Sequence, residues 1–238
     1  MKTLVLYVFH TYNERVNAFI NKAVFQDKMV DFIFICNNKN INFTVPEYVT
    51  VLKRNNIGYD FGGWSDALLT NDLYKNYDHF IFANSSVIGP FINSDYTGRW
   101  IDLYLNGLTS DIKLFGSTIN TIQDPLHKSH VQSYIFTMDK ETLDFLIKKE
   151  IFTMNSYVKT FNDAIFKKEV LMSRYIIENG WNIGCLNKYY DGVDFRFKTK
   201  KPRDYSKPFL DDIMYPQYEN KIWSREGLLF VKGNRGLK

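Results

Sequence analysis

The run Arg54-Asn55-Asn56-Ile57-Gly58-Tyr59-Asp60-Phe61-Gly62-Gly63-Trp64 packs three glycines, a carboxylate and an indole between a strand-like and a helix-like segment. Glycine tolerates positive φ and lets a ligand approach the backbone, and helix-start amides favour an anion, so Gly62 and Gly63 suit a phosphate or nucleotide. The same residues suit a tight turn over a buried Trp64, and the pattern is neither a Walker loop nor a Rossmann fingerprint.

Glu169 lies in Lys167-Lys168-Glu169-Val170-Leu171-Met172-Ser173-Arg174. A carboxylate at the mouth of a cleft can accept a proton from a sugar hydroxyl, while the plain reading is an exposed helical Glu beside Lys168. His127 and His130 are three apart, ahead of Gln132 and Ser133. Pro125 and the strand-like residues after Val131 argue against a helical metal site. A hydrogen-bonding role toward substrate is the better functional reading, although spacing alone favours a merely exposed pair. Asn84-Ser85-Ser86 offers amides and hydroxyls, which are poor ligands for a hard divalent cation. The positive charge for a diphosphate would then come from Lys232 and Arg235 or from the basic stretch around Lys200.

Hydrophobic spacing supplies the elements that must position these groups. Strands are expected at Thr3 to Phe9, Asp31 to Cys36, Val49 to Leu52 and His79 to Ala83, with helices at Glu14 to Phe25 and Trp64 to about Leu73. This alternation predicts an α/β fold with a mostly parallel, Rossmann-like sheet flanked by helices, whose ligands gather at the carboxyl ends of the strands. Those ends are His10-Thr11-Tyr12-Asn13, Cys36-Asn37-Asn38, Arg54 to Trp64 and Asn84-Ser85-Ser86, all rich in groups that bond a nucleotide or sugar. Farther on, Leu114 to Ile119, Ser133 to Met138 and Trp181 to Leu186 read as strands, and Lys140 to Lys149 and Ala164 to Glu178 as helices. Past Lys198 the chain turns irregular and charged and is expected to wrap the domain.

At 238 residues the chain suits one large domain, and 17% aromatic residues mildly favours a sugar or nucleotide ligand. The net charge of +4 is modest. Its densest part, Phe195 to Lys207, is a solvated loop, a diphosphate site or a contact for an anionic membrane surface. No nucleic-acid-binding module is recognisable. Cys36 and Cys185 read as reduced core thiols. The start of the chain reads as a strand instead of a leader, and no apolar run approaches the roughly 20 residues of a membrane span, so a cytoplasmic protein is expected.

Asn56 to Trp64, Asn84 to Phe91, His130 to Tyr134, Glu169 with Ser173-Arg174, and Phe230 to Arg235 together resemble the rhamnan-synthesis F family of glycosyltransferases. More distantly they resemble the GT-A nucleotide-sugar transferases typified by chitin and hyaluronan synthases. The resemblance covers nearly the whole chain and implies a single GT-A-like domain over 1–238. Its donor half is 1–110, its acceptor and catalytic half 111–198, and its wrapping tail 199–238.

The resemblance further implies a glycosyltransferase moving a sugar, with rhamnose the family-implied one, from a UDP-, dTDP- or GDP-linked donor to a saccharide acceptor. Glu169 is the implied base, because Val170 replaces the Asp of the relatives' Glu-Asp pair. Donor contacts are assigned to His10, Tyr12, Asn13, Asn37, Arg54, Asn56, Gly58, Asp60, Gly62, Gly63, Trp64, Asn84, Ser85, Ser86, Lys232 and Arg235. Acceptor contacts are assigned to His130, Gln132, Ser133 and Arg174. Where relatives carry a base-reading Asp this chain has Asn37, and their metal-binding Asp-x-Asp is replaced by Asn84-Ser85-Ser86. Mn2+ or Mg2+ would depend on Asp60 or Asp78. A GT-A scaffold that binds a carbohydrate or nucleotide without catalysis fits the same departures.

Overall fold

The computed structural model describes residues 1–121, 129–196 and 215–235. His127 and the basic positions from Lys198 to Lys207 lie outside them. In chain order the elements are β1 (Thr3–Phe9), α1 (Glu14–Ala23), β2 (Val30–Cys36), β3 (Thr50–Lys53), α2 (Tyr59–Leu69), β4 (His79–Asn84), β5 (Val87–Ile88) and α3 (Trp100–Leu105). Then come β6 (Ile112–Gly116), β7 (Ile119–Asn120), β8 (His130–Val131), β9 (Ile135–Asp139), α4 (Lys140–Lys148), α5 (Phe161–Ala164), a π-helical turn Ile165–Val170, α6 (Leu171–Glu178), β10 (Asn182–Cys185), α7 (Arg225–Leu228) and β11 (Val231–Lys232).

Every side chain of β1 is buried, which requires cover on both faces. Leu4, Leu6 and Val8 enter one hydrophobic cluster and Val5, Tyr7 and Phe9 the other, following the two-residue alternation of a strand. The main sheet runs β10-β6-β9-β4-β1-β2-β3. Only β9 is antiparallel to its neighbours, so the fold is the expected α/β type with a mostly parallel sheet. α2, α4 and α6 cover one face, while α1, α3 and the segment Trp223 to Val231 cover the other. No described helix is long and apolar enough to cross a membrane.

Two helix expectations are corrected. The second helix starts at Tyr59 and not at Trp64, because Gly58 (φ 75°) and Tyr59 (φ 56°) turn through the left-handed region and launch it early. Gly62, Gly63 and Trp64 are thus inside α2. The expected helix Ala164 to Glu178 is interrupted by the π-helical turn that carries Glu169.

Candidate functional site

The polar residues that follow β1, β2 and β4 meet the start of α2 at one end of the sheet, around a cavity of about 300 Å³. His10, Asn37, Asn56, Asp60, Asn84 and Ser86 form one wall. Because β9 runs backwards, the residues just before it, Ser133 and Tyr134, arrive at the same end. Phe161, Ala164, Ile165 and Glu169 close the opposite side, with Lys232 and Asn234 beyond β11. Convergence of parallel strand ends on a cleft is what this sheet type offers a ligand.

Arg54 holds the wall in shape. Its guanidinium donates to Asp66 Oδ2 (2.6 Å), Asn37 Oδ1 (2.8 Å) and the Ile57 carbonyl (2.7 Å), tying the loop after β3 to β2 and α2. Asn37 Nδ2 donates to the Tyr59 carbonyl at 3.2 Å, so both ends of that amide are engaged inside the protein. The Asn37 side chain is thus held in place by Arg54 and the Tyr59 carbonyl while the residue lines the cavity. His10 Nδ1 lies 2.9 Å from the Asn37 carbonyl oxygen. The Ser85-Ser86 turn is pinned from two sides, by Arg15 Nε on the Ser85 carbonyl (2.8 Å) and Gly233 N on the Ser86 carbonyl (2.7 Å).

Two carboxylates face the cavity. Asp60 Oδ2 accepts from Asn84 Nδ2 at 3.0 Å. Burial pushes its pKa up to about 6; the Asn84 bond opposes this, and the negative charge of Glu169 adds to it. Glu169 Oε1 accepts from the Ser133 backbone amide at 2.8 Å, and His130 Nε2 lies 3.9 Å from the same oxygen. Lys168 is not the partner of Glu169. It turns inward and its ammonium donates to the carbonyls of Glu150 (2.6 Å) and Ile151 (2.9 Å), and burial holds its pKa below the usual lysine range. One residue holds the chain just past α4 while the next enters the cavity, so Glu169 is not the exposed helical Glu of the plain reading. A π-helical turn at such a position is a frequent mark of a functional site.

Of the residues singled out in the sequence, nine line the cavity together: His10, Asn37, Asn56, Asp60, Asn84, Ser86, Ser133, Glu169 and Lys232. The others serve it from outside or stand elsewhere. Trp64 is fully buried, with Phe82 and Phe136 edge-on at 5.5 and 5.4 Å, so it is a core residue. Gly62 and Gly63 face protein, not open space: a Cβ on Gly62 would overlap the Ile57 carbonyl, and one on Gly63 would sit 3.0 Å from Ile35 and Val8. Close packing of α2 against its surroundings accounts for the need for glycine at both positions. Gly58 is the left-handed cap and packs on Tyr157.

Asn13 caps α1 through Arg15 N and Val16 N, and Tyr12 donates to Asn17 Oδ1 at 3.2 Å. Gln132 is buried and accepts from Thr118 Oγ1 at 2.7 Å. His130 is buried too, against the exposed-pair expectation. Arg174 does not line the cavity and has Glu178 as its charged neighbour. Arg235 donates to the Tyr215 hydroxyl at 3.1 Å. Sequence reasoning missed Tyr59, Phe61, Tyr134, Phe161, Ala164, Ile165 and Asn234; Tyr59 and Asn234 sat within motifs already noted, whereas Phe161 carried no signal.

Asp78 precedes β4 and accepts from Lys2 N at 2.7 Å, at the opposite end of that strand, so it is withdrawn as a ligand at this cavity. Among the described residues no group of three His, Cys, Asp or Glu gathers to hold a metal. Asp60 and Glu169 are surrounded by amides and hydroxyls, a donor set that suits hydrogen bonding better than a hard cation.

A mostly parallel α/β sheet with a polar cleft at its carboxyl edge defines a Rossmann-like ligand-binding architecture. Residues 32–215 match the family model described as RgpF, rhamnan synthesis protein F, and the chain belongs to that family. No curated protein matches the chain. Among solved structures, one described as "Crystal Structure of A197 from STIV" is similar at 10% identity and a TM-score of 0.32, covering 60% of this chain and 68% of that one. So loose an overlap carries no argument.

Proposed function

We propose that this protein is a glycosyltransferase of rhamnan or related polysaccharide synthesis, acting in the cytoplasm as a single GT-A-like domain. It takes a sugar, rhamnose first among candidates, from a UDP-, dTDP- or GDP-linked donor to a saccharide acceptor. The observation that carries the reading is the cavity at the strand ends with Asp60 and Glu169 facing into it from different elements.

The Ser133 amide occupies Glu169 Oε1 and fixes the carboxylate, which leaves Oε2 for an acceptor hydroxyl. In an inverting reaction Glu169 takes the hydroxyl proton as the oxygen attacks the anomeric carbon, and the bond to the diphosphate breaks with its electron pair leaving on phosphate oxygen. Lys232, which lines the cavity, offsets the charge on that leaving group in this reading. In a retaining reaction Glu169 positions the donor instead. Asp60, whose pKa is raised to about 6 and which is therefore mostly ionised at neutral pH, accepts hydrogen bonds from donor hydroxyls.

The test is turnover of a nucleotide-sugar panel, followed as nucleoside diphosphate release with and without acceptor, in Mn2+ and in chelator. Acceptor-dependent release supports the reading. Binding of a donor with no turnover under any condition selects the second reading, a non-catalytic carbohydrate- or nucleotide-binding module, which Asn84-Ser85-Ser86 in place of a metal-binding acidic pair favours.

A further inference from the structure

Phe161 is 66% exposed, among the most exposed large apolar side chains of the described protein, yet it lines the cavity that holds both carboxylates. Tyr59, held at φ 56°, lies edge-on to it with ring centroids 6.3 Å apart. Left-handed backbone at a non-glycine residue is strained and persists where the surroundings enforce it, often at a ligand site. α2 begins at Tyr59, and the ring of this first helical residue meets Phe161.

The spacing along the opposite wall is equally informative. Phe161, Ala164, Ile165 and Glu169 all reach the cavity, at intervals of three, four and eight from the first. One helical run thus carries an aromatic ring at its start and a carboxylate at its end, eight residues apart, on the order of 10 Å along the axis because the π-helical turn rises less per residue than the α-helix before it. That run is longer than a single sugar ring. An aromatic face beside amides and a carboxylate matches a saccharide, whose C–H face stacks while its hydroxyls hydrogen-bond.

We propose that Phe161 and Tyr59 form a stacking subsite for the acceptor, holding a sugar unit set back from the one whose hydroxyl faces Glu169. The inference rests on the glycosyltransferase reading for the word acceptor, but the subsite itself is a claim about saccharide binding. It follows that a chain of at least two sugars binds through Phe161, whereas a monosaccharide, reaching Glu169 alone, does not use that ring.

The experiment is saturation-transfer NMR and calorimetric titration of rhamnose and of rhamnose oligosaccharides against the wild type, F161A, F161W and F166A. Phe166 is 53% exposed and does not line the cavity, so it controls for general surface apolarity. Oligosaccharide affinity falls about tenfold in F161A, is restored in F161W and is unaltered in F166A. Equal affinity of wild type and F161A, equal losses in F161A and F166A, or no oligosaccharide binding by the wild type overturns the subsite. Because Phe161 is exposed, F161A is expected to fold as the wild type does, and a circular-dichroism melt of each variant checks it. Wild-type donor turnover, scored separately, decides the catalytic reading independently.

Discussion

At the scale of single residues, two carboxylates that look alike in the sequence have different surroundings. Glu169 is oriented by a backbone amide and sits on the wall expected to hold the acceptor, so Glu169→Gln keeps the shape and removes the proton acceptor. Transfer should fall by about 10²- to 10⁴-fold with donor affinity retained, as read by turnover and by titration; undiminished turnover removes Glu169 from the chemistry. Asp60 carries a pKa raised to about 6, which means that the folded protein holds its proton more tightly than the unfolded chain. Its contribution to stability is present below the unfolded value near 4 and is lost as pH rises through 6. Asp60→Asn, neutral throughout, should therefore gain on the wild type with pH, from near zero at pH 4 to about 2 kcal/mol at pH 8 by urea unfolding. A difference that stays flat with pH contradicts the buried carboxylate.

At the scale of elements, α2 and the π-helical turn do the positioning. α2 lies so close to the loop before it that Gly62 has no room for a Cβ, because the Ile57 carbonyl opposite is fixed by Arg54. Gly62→Ala should cost about 2 kcal/mol, seen as a lower urea midpoint at unchanged slope. A midpoint equal to that of the wild type would show that the loop yields. Loss of ligand binding in such a variant is expected as well, through displaced Tyr59 and Asp60. The π-helical turn works differently. By sending Lys168 to the end of α4 and Glu169 to the cavity, it makes the orientation of the carboxylate depend on a buried ammonium held by two carbonyls.

At the scale of the whole molecule, the cavity needs the end of the described chain as much as its beginning. Trp223, Leu228, Leu229, Phe230 and Val231 are each 5% exposed or less and close the face of the sheet that α1 and α3 leave open. Ser117 Oγ donates to the Leu228 carbonyl at 2.9 Å, and β11 pairs with β5, delivering Lys232. Each such side chain contributes roughly 1.5–3 kcal/mol by burial, so together they rival the 5–15 kcal/mol that keeps a domain folded. A chain ended before Trp223 should not fold, and recovery of a monomer with a cooperative melt would contradict that.

The sequence by itself determined the sheet. Runs such as Thr3 to Phe9 and His79 to Ala83 are apolar on both faces, and only a covered central strand satisfies them, so the strand ends and the polar residues on them followed from local pattern. Asp60 was legible as the one carboxylate of the glycine turn, whereas Glu169 was legible chiefly through the family resemblance, since type and spacing alone favour an exposed helical Glu there. What only the tertiary structure decided was which residues share a space. Tyr59 and Phe161 are more than a hundred positions apart, and local periodicity is silent about which remote segments pack together. Nor could it tell that Trp64 fills the core, that Asn37 is engaged by Arg54, or that Asp78 lies at the opposite end of its strand. Those outcomes depend on the long-range pairing of strands and on the volume left between packed helices. A residue's chemistry is written in its type, but its surroundings are made by chain segments far from it in sequence.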